Sequence, residues 1–244
     1  MSAAEVSHLA RETKAEKQRR AEAIIAALDA QMPNAKIELD FRTPMQLLVS
    51  VILSAQCTDK RVNLVTPALF ARYRTPQAFA SAPIEKLESL IKTCGLYRSK
   101  AKNIIAAAKA LVENHGGQVP LTRAELEALP GVGRKTAGVV LIHLGGEPAF
   151  PVDTHVRRVS RRLGLTRESD PDKVEADLRA LLPSSLWAKA HQLLIWHGRR
   201  TCFARTPACE RCVVAELCPK IGVAKATRRA AAGRARPSAA SSAS

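Results

Sequence analysis

Aromatic residues are scarce in this chain, and long apolar runs are missing from it. Phe, Trp and Tyr together make up 4% of its 244 residues. No apolar run approaches the roughly 20 residues that are needed to cross a bilayer. The N-terminal sequence, MSAAEVSHLA, also lacks the apolar core of a secretion signal. The last two absences argue against a membrane-spanning protein and predict a cytoplasmic location, at the nucleoid if the protein is prokaryotic.

Acidic residues are few in comparison with basic ones. The chain has 38 Lys and Arg but only 22 Asp and Glu, which gives a formal net charge of +16 at pH 7. Such a surplus repels itself in isolation but suits a polyanionic partner. Nucleic acid is therefore the predicted partner, and a basic protein bound to a membrane surface is the alternative.

Apolar residues account for 46% of the chain, enough for a sizeable core, and they recur at helical spacing. The segment PMQLLVSVILSAQ is apolar nearly all round, so we expect a central helix that is packed on every side. The pattern predicts an all-α fold. Helices are predicted over residues 21–32, 44–56, 62–73, 84–93, 99–113, 134–144, 170–182 and 186–197, with Asp59 as a possible cap of the third.

Both ends of the chain are basic and poor in large apolar residues. Residues 1–20 are predicted to form a flexible N-terminal extension. Residues 222–244 contain no acidic residue and consist largely of Ala, Ser, Gly and basic residues, so they are predicted to be disordered.

The stretch LPGVGRKTAG, which begins at Leu129, carries the strongest local signal. Pro130 fixes one φ angle, and Gly131 and Gly133 permit positive φ and allow another backbone to approach closely. A tight turn is therefore predicted, followed by a helix whose first amide N–H groups are free. Such a helix end binds phosphate.

Two cations, Arg134 and Lys135, follow this turn in the first turn of the predicted helix. The helix dipole disfavours positive charge at that end. The placement therefore indicates an anionic partner or a chemical task, and an ordinary helix start with two surface cations is the alternative.

Four of the six cysteines lie close together near the end of the chain, in the spacing Cys-x6-Cys-x2-Cys-x5-Cys. Disulfides are not expected in a reducing compartment, so four thiols in so short a segment predict a metal site. The spacing by itself leaves zinc and an iron–sulfur cluster equally open. The four residues are Cys202, Cys209, Cys212 and Cys218.

Asp153 stands immediately before a helical pattern in the sequence FPVDTHVRRVSRRLGL. Aspartate is a favoured N-cap residue, and a purely structural role is therefore a strong alternative. A capping role and a chemical role are compatible, because the backbone N–H groups that bind a capping carboxyl group also hold it in one place.

Several segments together resemble the endonuclease III family of DNA glycosylases. LPGVG followed by RKTA is similar to the family's helix-hairpin-helix motif, and VDTHVRR is similar to the segment that bears its catalytic aspartate. SAQCTDKRVN, GLYRSKAKNI and the cysteine spacing also match family patterns. The resemblance covers roughly residues 21–221.

The resemblance implies the chemistry of the site. Lys135 stands at the position of the catalytic lysine, and Asp153 at that of the catalytic aspartate. The four cysteines would hold a 4Fe-4S cluster rather than zinc. The residues expected to bind DNA are Gln56 and Leu96, which would enter the base stack, Gly131, Gly133 and Arg134 at the hairpin, and Arg205 and Arg211 in the cysteine loop.

The resemblance also implies two helical domains with a DNA-binding groove between them. A six-helix domain would comprise residues 37–149, with the hairpin at 129–138. Residues 21–36 and 150–221 would form the iron–sulfur domain.

The implied function is that of a bifunctional DNA glycosylase and AP lyase of base excision repair. It would act as a monomer on double-stranded DNA that contains oxidised pyrimidines or abasic sites. A monofunctional mismatch glycosylase and a non-catalytic DNA-binding module are the alternatives. Lys135 distinguishes the bifunctional enzyme from both alternatives, since neither alternative requires a lysine at this position.

Overall fold

The computed structural model describes residues 12–223, and this part of the chain is helical without any β-strand. The all-α prediction is confirmed. The helices are α1 (Lys14–Gln31), α2 (Pro44–Ser54), α3 (Asp59–Arg72), α4 (Pro76–Ala80), α5 (Ile84–Ile91), α6 (Tyr97–Asn114), α7 (Arg123–Glu127), α8 (Arg134–Leu144), α9 (Thr154–Arg162), α10 (Pro171–Leu181) and α11 (Trp187–Arg200). Short 3₁₀ turns lie at Ser184–Leu186 and Cys209–Arg211. Within the described range, none of the helices is both long and apolar enough to cross a bilayer.

Buried apolar side chains form two separate hydrophobic clusters. The first cluster extends from Leu39 to Ala149 and is built by helices α2 to α8. The second cluster is formed by α1 and by the chain from Phe150 onwards. This division agrees with two helical domains, although the exact domain limits stay a prediction.

Helix α2 lies at the centre of the first cluster. Every residue from Met45 to Leu53 except Gln46 is buried, as the apolar sequence predicts. Thr43 caps the helix by accepting a hydrogen bond from the Gln46 amide, and Pro44 occupies its first turn. Each fully buried leucine contributes roughly 1.5–3 kcal/mol to folding. The helix therefore fixes the elements around it.

Helix α1 begins at Lys14, so the predicted flexible extension is wrong for residues 14–20. Thr13 and Glu16 form a capping box that starts the helix. Arg20 pairs with Glu12 at 2.8 Å and donates a hydrogen bond to the Leu163 carbonyl at 2.7 Å. Polar side chains thus anchor this turn to the second cluster. Residues 1–11 of the predicted extension lie outside the described range, as do residues 224–244 of the predicted disordered tail.

Two further predictions need correction. Thr58, rather than Asp59, caps α3 through a hydrogen bond from the Arg61 amide, because Asp59 is already the first helical residue. Gly131 has the predicted positive φ of 78°, but Gly133 has a φ of −95°, which any residue adopts. A Cβ atom on Gly131 would lie 2.6 Å from that of Asn103, whereas one on Gly133 would meet open space. Only Gly131 is therefore required by the turn.

Candidate active site

Lys135 and Asp153 line the same cleft between the two hydrophobic clusters. Lys135 lies in the first turn of α8, the helix that follows the hairpin turn. Asp153 is the N-cap of α9, and its Oδ1 atom accepts a hydrogen bond from the Val156 amide at 2.7 Å. The two side chains therefore come from helices of different clusters and line one cleft between these clusters.

Close contact between α8 and the segment before Asp153 produces this arrangement. A Cβ atom on Gly138 would lie 3.0 Å from the Pro151 ring, which is tighter than ordinary packing. Glycine therefore lets the chain that leads to Asp153 lie directly against the helix that carries Lys135. The motif LPGVGRKTAG ends at this glycine.

His191 lies in the wall of the cleft, beside both predicted catalytic residues. Its Nδ1 atom is 2.9 Å from the Pro151 carbonyl, which can only accept, so this nitrogen carries the proton. Burial lowers the pKa of His191 to about 4, although the nearby charge of Asp153 opposes this shift. The ring is therefore neutral at pH 7. No sequence motif pointed to His191, which lies 38 residues after Asp153 in the chain.

Arg199 spans the cleft from the side of the second cluster. Its guanidinium group pairs with Asp59 of α3 at 2.8 Å and also with Glu38. Asp59, Arg199, Lys135 and Asp153 line both of the adjoining cavities in the cleft. In the sequence, Asp59 stood out only as a possible cap, and no pattern singled out Arg199.

Gln56 and Leu96 occupy two neighbouring turns with left-handed backbone. Their φ angles are 51° and 57°, and a Cβ atom on Gly95 would lie 3.5 Å from the Gln56 carbonyl. Buried Lys100 ties the two turns together by donating a hydrogen bond from Nζ to the Leu53 carbonyl at 2.8 Å. Burial lowers the pKa of this lysine.

The two turns differ in their relation to the cleft. Gln56 lines it together with Lys135 and Asp153. Leu96 is 59% exposed, so it is not an apolar anchor packed in the core. An exposed leucine held in a strained turn is available to an external partner.

The predicted DNA-contacting arginines have different surroundings. Arg205 and Arg211 are exposed on the cysteine loop, and Arg211 also donates a hydrogen bond to the Arg200 carbonyl at 3.2 Å. Arg134, by contrast, pairs with Asp172 at 2.8 Å and with Glu175 at 3.2 Å. Its guanidinium group therefore already has anionic partners within the chain.

The four clustered cysteines line one pocket together with His197 and Arg162. Arg162 donates a hydrogen bond to the Cys202 sulfur at 3.4 Å, and the Lys220 amide donates one to the Cys218 sulfur at 3.3 Å. Burial raises the pKa of Cys212 and raises that of Cys218 to about 11.

This pocket suits an iron–sulfur cluster better than a single metal ion. Between residues 12 and 223, no three His, Cys, Asp or Glu side chains are close enough together to hold one ion. Four thiols that line one pocket, with N–H donors directed at two of the sulfurs, suit the ligation of an iron–sulfur cluster. The other cysteines, Cys57 and Cys94, lie at the first hydrophobic cluster.

Two family models match the chain. The first describes an HhH-GPD superfamily base excision DNA repair protein and matches residues 49–184. The second describes the iron–sulfur binding domain of endonuclease III and matches residues 202–218, which include all four clustered cysteines.

Curated relatives are similar over most of their length. The chain is 49% identical to endonuclease III of Synechocystis sp. over 88% of this chain and 98% of the relative. It is 45% identical to endonuclease III of Escherichia coli strain K12 over 80% of this chain and 92% of the relative.

Solved structures show the same similarity. A trapped covalent intermediate of endonuclease III with DNA matches with a TM-score of 0.78 and 44% identity, covering 82% of this chain and 95% of that one. A thermostable thymine-DNA glycosylase matches with a TM-score of 0.72 but only 22% identity, covering 82% and 95%, and therefore supports the fold alone.

These comparisons confirm the predicted family, enzyme class and iron–sulfur cofactor. The roles of individual residues stay predictions. The chain belongs to the endonuclease III family, the DNA glycosylases and AP lyases of base excision repair that carry a helix-hairpin-helix motif and an iron–sulfur cluster.

Proposed function

We propose that this DNA glycosylase and AP lyase removes oxidised pyrimidines from double-stranded DNA by nucleophilic attack of Lys135. The observation that carries the proposal is the position of Lys135 in the first turn of α8, in one cleft with Asp153. An amine and a carboxyl group that face one cavity supply the nucleophile and the stabilising anion for this reaction.

The damaged nucleotide first leaves the duplex. Extruding a base costs a few kcal/mol, and a lesion that stacks or pairs badly lowers this cost. Gln56 and Leu96 would fill the vacated stack from their neighbouring turns. Both residues have left-handed backbone, and the hydrogen bond from Lys100 to the Leu53 carbonyl supports the turns that carry them.

The neutral Lys135 amine then forms a bond to the sugar C1′ atom while the bond from C1′ to the base breaks. The departing base takes up one proton from the attacking amine. The bond between C1′ and O4′ of the sugar then breaks, O4′ takes up a proton from solvent, and the nitrogen lone pair forms the C=N bond of a protonated Schiff base with the ring-opened sugar. Asp153 would stabilise the positive charge that develops on the sugar. A proton then leaves C2′, and the bond from C3′ to its phosphate oxygen breaks, which nicks the strand by β-elimination.

Binding of the duplex would use the hairpin and the cysteine loop. Free amide groups at the start of α8, next to Gly131 and Gly133, suit a phosphate. Arg205 and Arg211 are exposed on the loop and would meet another phosphate. The protein binds as a monomer in this proposal, and its cytoplasmic location likewise stays a prediction.

The cluster ligands would be Cys202, Cys209, Cys212 and Cys218, which line the pocket described above. When bound, the cluster ties four thiolates together and so orders the loop that presents Arg205 and Arg211. Arg162 supports the same loop by donating hydrogen bonds to the Cys202 sulfur and to the Ala204 carbonyl.

Replacement of Lys135 tests the proposed nucleophile. Lys135→Gln is expected to abolish strand cleavage at an abasic site, because the amide cannot form a Schiff base. Affinity for the duplex should stay within about threefold, since one phosphate contact accounts for a small part of a strongly salt-dependent interaction. Cleavage of abasic duplex and equilibrium binding are measured together. Lys109→Gln, which removes an exposed lysine from α6, is the control. Undiminished cleavage by Lys135→Gln would disprove the role.

Asp153 can be tested separately from its capping function. Asp153→Asn keeps an oxygen that can accept from the Val156 amide, so the free energy of unfolding should change by less than about 1 kcal/mol. Base release should fall because the negative charge is gone. Asp170→Asn is the matched control, since Asp170 caps α10 in the same way. An Asp153→Asn enzyme with wild-type base release would leave Asp153 only its structural role.

The cluster ligands can be tested by metal analysis. Purified wild-type protein should contain about four iron atoms and four acid-labile sulfides per chain, as a 4Fe-4S cluster requires. Cys212→Ser should lose iron and unfold more easily, because ligation contributes directly to folding. Cys57→Ser, a cysteine of the first hydrophobic cluster, should retain full iron content. Stoichiometric zinc in protein that was purified without oxygen would contradict the assignment.

A further inference from the structure

Glu175 is a buried carboxyl group surrounded by arginines. Its side chain is only 6% exposed, and it pairs with Arg123 at 2.7 Å, with Arg134 at 3.2 Å and with Arg179 at 3.5 Å. Burial by itself would raise the pKa of Glu175, but the hydrogen bonds and charges of Arg123 and Arg134 outweigh it and lower the pKa. The Glu175 carboxyl group is therefore ionised at pH 7 and paired with these arginines.

Two of these arginines flank the hairpin turn. Arg123 is the first residue of α7, which precedes the turn, and Arg134 is the first residue of α8, which follows it. Glu175 belongs to α10, whose apolar face packs in the second hydrophobic cluster. A carboxyl group on a helix of the second hydrophobic cluster thus binds arginines on both sides of the hairpin turn, which belongs to the first hydrophobic cluster.

The ion pairs lie directly beside the proposed nucleophile. Arg134 precedes Lys135 in the chain, and both line one small cavity together with Glu175 and Asp172. Pro151 and Val152, the residues that lead to Asp153, line the same cavity. A shift of Arg134 would therefore be transmitted to Lys135 and to its distance from Asp153.

Arg134 was predicted from the sequence to contact DNA, but its surroundings favour an internal role. Its Nε atom faces Asp172 at 2.8 Å and Glu175 at 3.2 Å. A phosphate would have to compete with two carboxyl groups for this guanidinium group. Exposed cations such as Arg205 and Arg211 have no acidic partner to displace among the described residues.

We propose that Glu175 is a positioning residue that acts through Arg134 and Arg123 to hold Lys135 in place against Asp153. The proposal rests on the proposed function of Lys135 as the nucleophile. It replaces the predicted phosphate contact of Arg134 with a contact that sets the geometry of the reaction.

The test compares Glu175→Gln and Arg134→Gln with the wild-type protein. Each variant is mixed in excess with an abasic duplex, and the rate at which borohydride traps the covalent adduct is measured in a single turnover. Both variants should trap about tenfold or more slowly, because small misplacements of a reacting group cost up to about 100-fold in rate. Affinity for the duplex and its dependence on salt should equal those of the wild type.

A double variant sharpens the result. If Glu175 acts through Arg134, then Glu175→Gln combined with Arg134→Gln should be little slower than the slower single variant, since both remove the same contact. Asp29→Asn is the matched control, because it breaks the 2.8 Å ion pair with Lys189 between α1 and α11, away from the cleft. This control should trap adduct at the wild-type rate.

Other results would overturn the inference. Weaker binding by Arg134→Gln, with a salt dependence of log K that is smaller by about 0.9, would show that Arg134 contacts a phosphate. Wild-type trapping rates in both variants, with a lower unfolding temperature, would leave the ion pairs a purely structural role. If Glu175→Gln does not fold, Arg134→Gln still decides the question, because Arg134 is 47% exposed and tolerates replacement more readily.

Failure of this inference can be told from failure of the proposed function. The proposed function fails if the wild-type protein traps no adduct or if Lys135→Gln still traps it. The inference alone fails if the wild type traps adduct and the Glu175 and Arg134 variants do so equally fast.

Discussion

Contact between Gly138 and Pro151 joins the two hydrophobic clusters next to the cleft that Lys135 and Asp153 both line. The close approach that glycine allows brings the chain before Asp153 against α8. His191 holds the other side of this segment through the Pro151 carbonyl. The cleft, the relative position of the amine and carboxyl group, and the proposed chemistry all depend on this contact.

Ion pairs complete the junction between the clusters. Arg199 reaches Asp59 in the cleft, and Glu175 reaches Arg123 and Arg134 next to Lys135. Buried ion pairs add little net stability, because desolvation offsets most of their attraction. They do fix geometry, since each arginine donates from a planar group. The basic surface is left to bind a polyanion, while several of the scarce acidic residues lie at this junction.

The sequence predicted what depends on neighbouring residues. The bounds of α8, the cap at Asp153 and the buried character of α2 follow from turn chemistry, capping preference and apolar spacing over short stretches. Resemblance extended this to the enzyme class and the iron–sulfur cofactor, which the comparisons confirm.

What the sequence could not predict depends on contacts between distant segments. The ion pairs of Glu175 and Arg199, and the neutral state of His191, arise only when separate helices pack together. The early start of α1 was missed even though the capping box of Thr13 and Glu16 is a local signal. Only the contacts of Arg20 with the Leu163 and Leu217 carbonyls depend on distant segments. Partners that lie far away in the chain cannot be recognised from a polar segment, which was therefore predicted to be flexible.

Mapping of the covalent adduct tests the central claim most directly. The wild-type protein is reduced with borohydride during turnover on a lesion-bearing duplex, digested, and analysed by mass spectrometry for the peptide that carries the sugar remnant. Because Lys135 lines the cleft together with Asp153, we expect a single modified peptide, with the adduct on the Nζ atom of Lys135. An adduct on another amine, such as Lys100 or Lys189, would contradict the account.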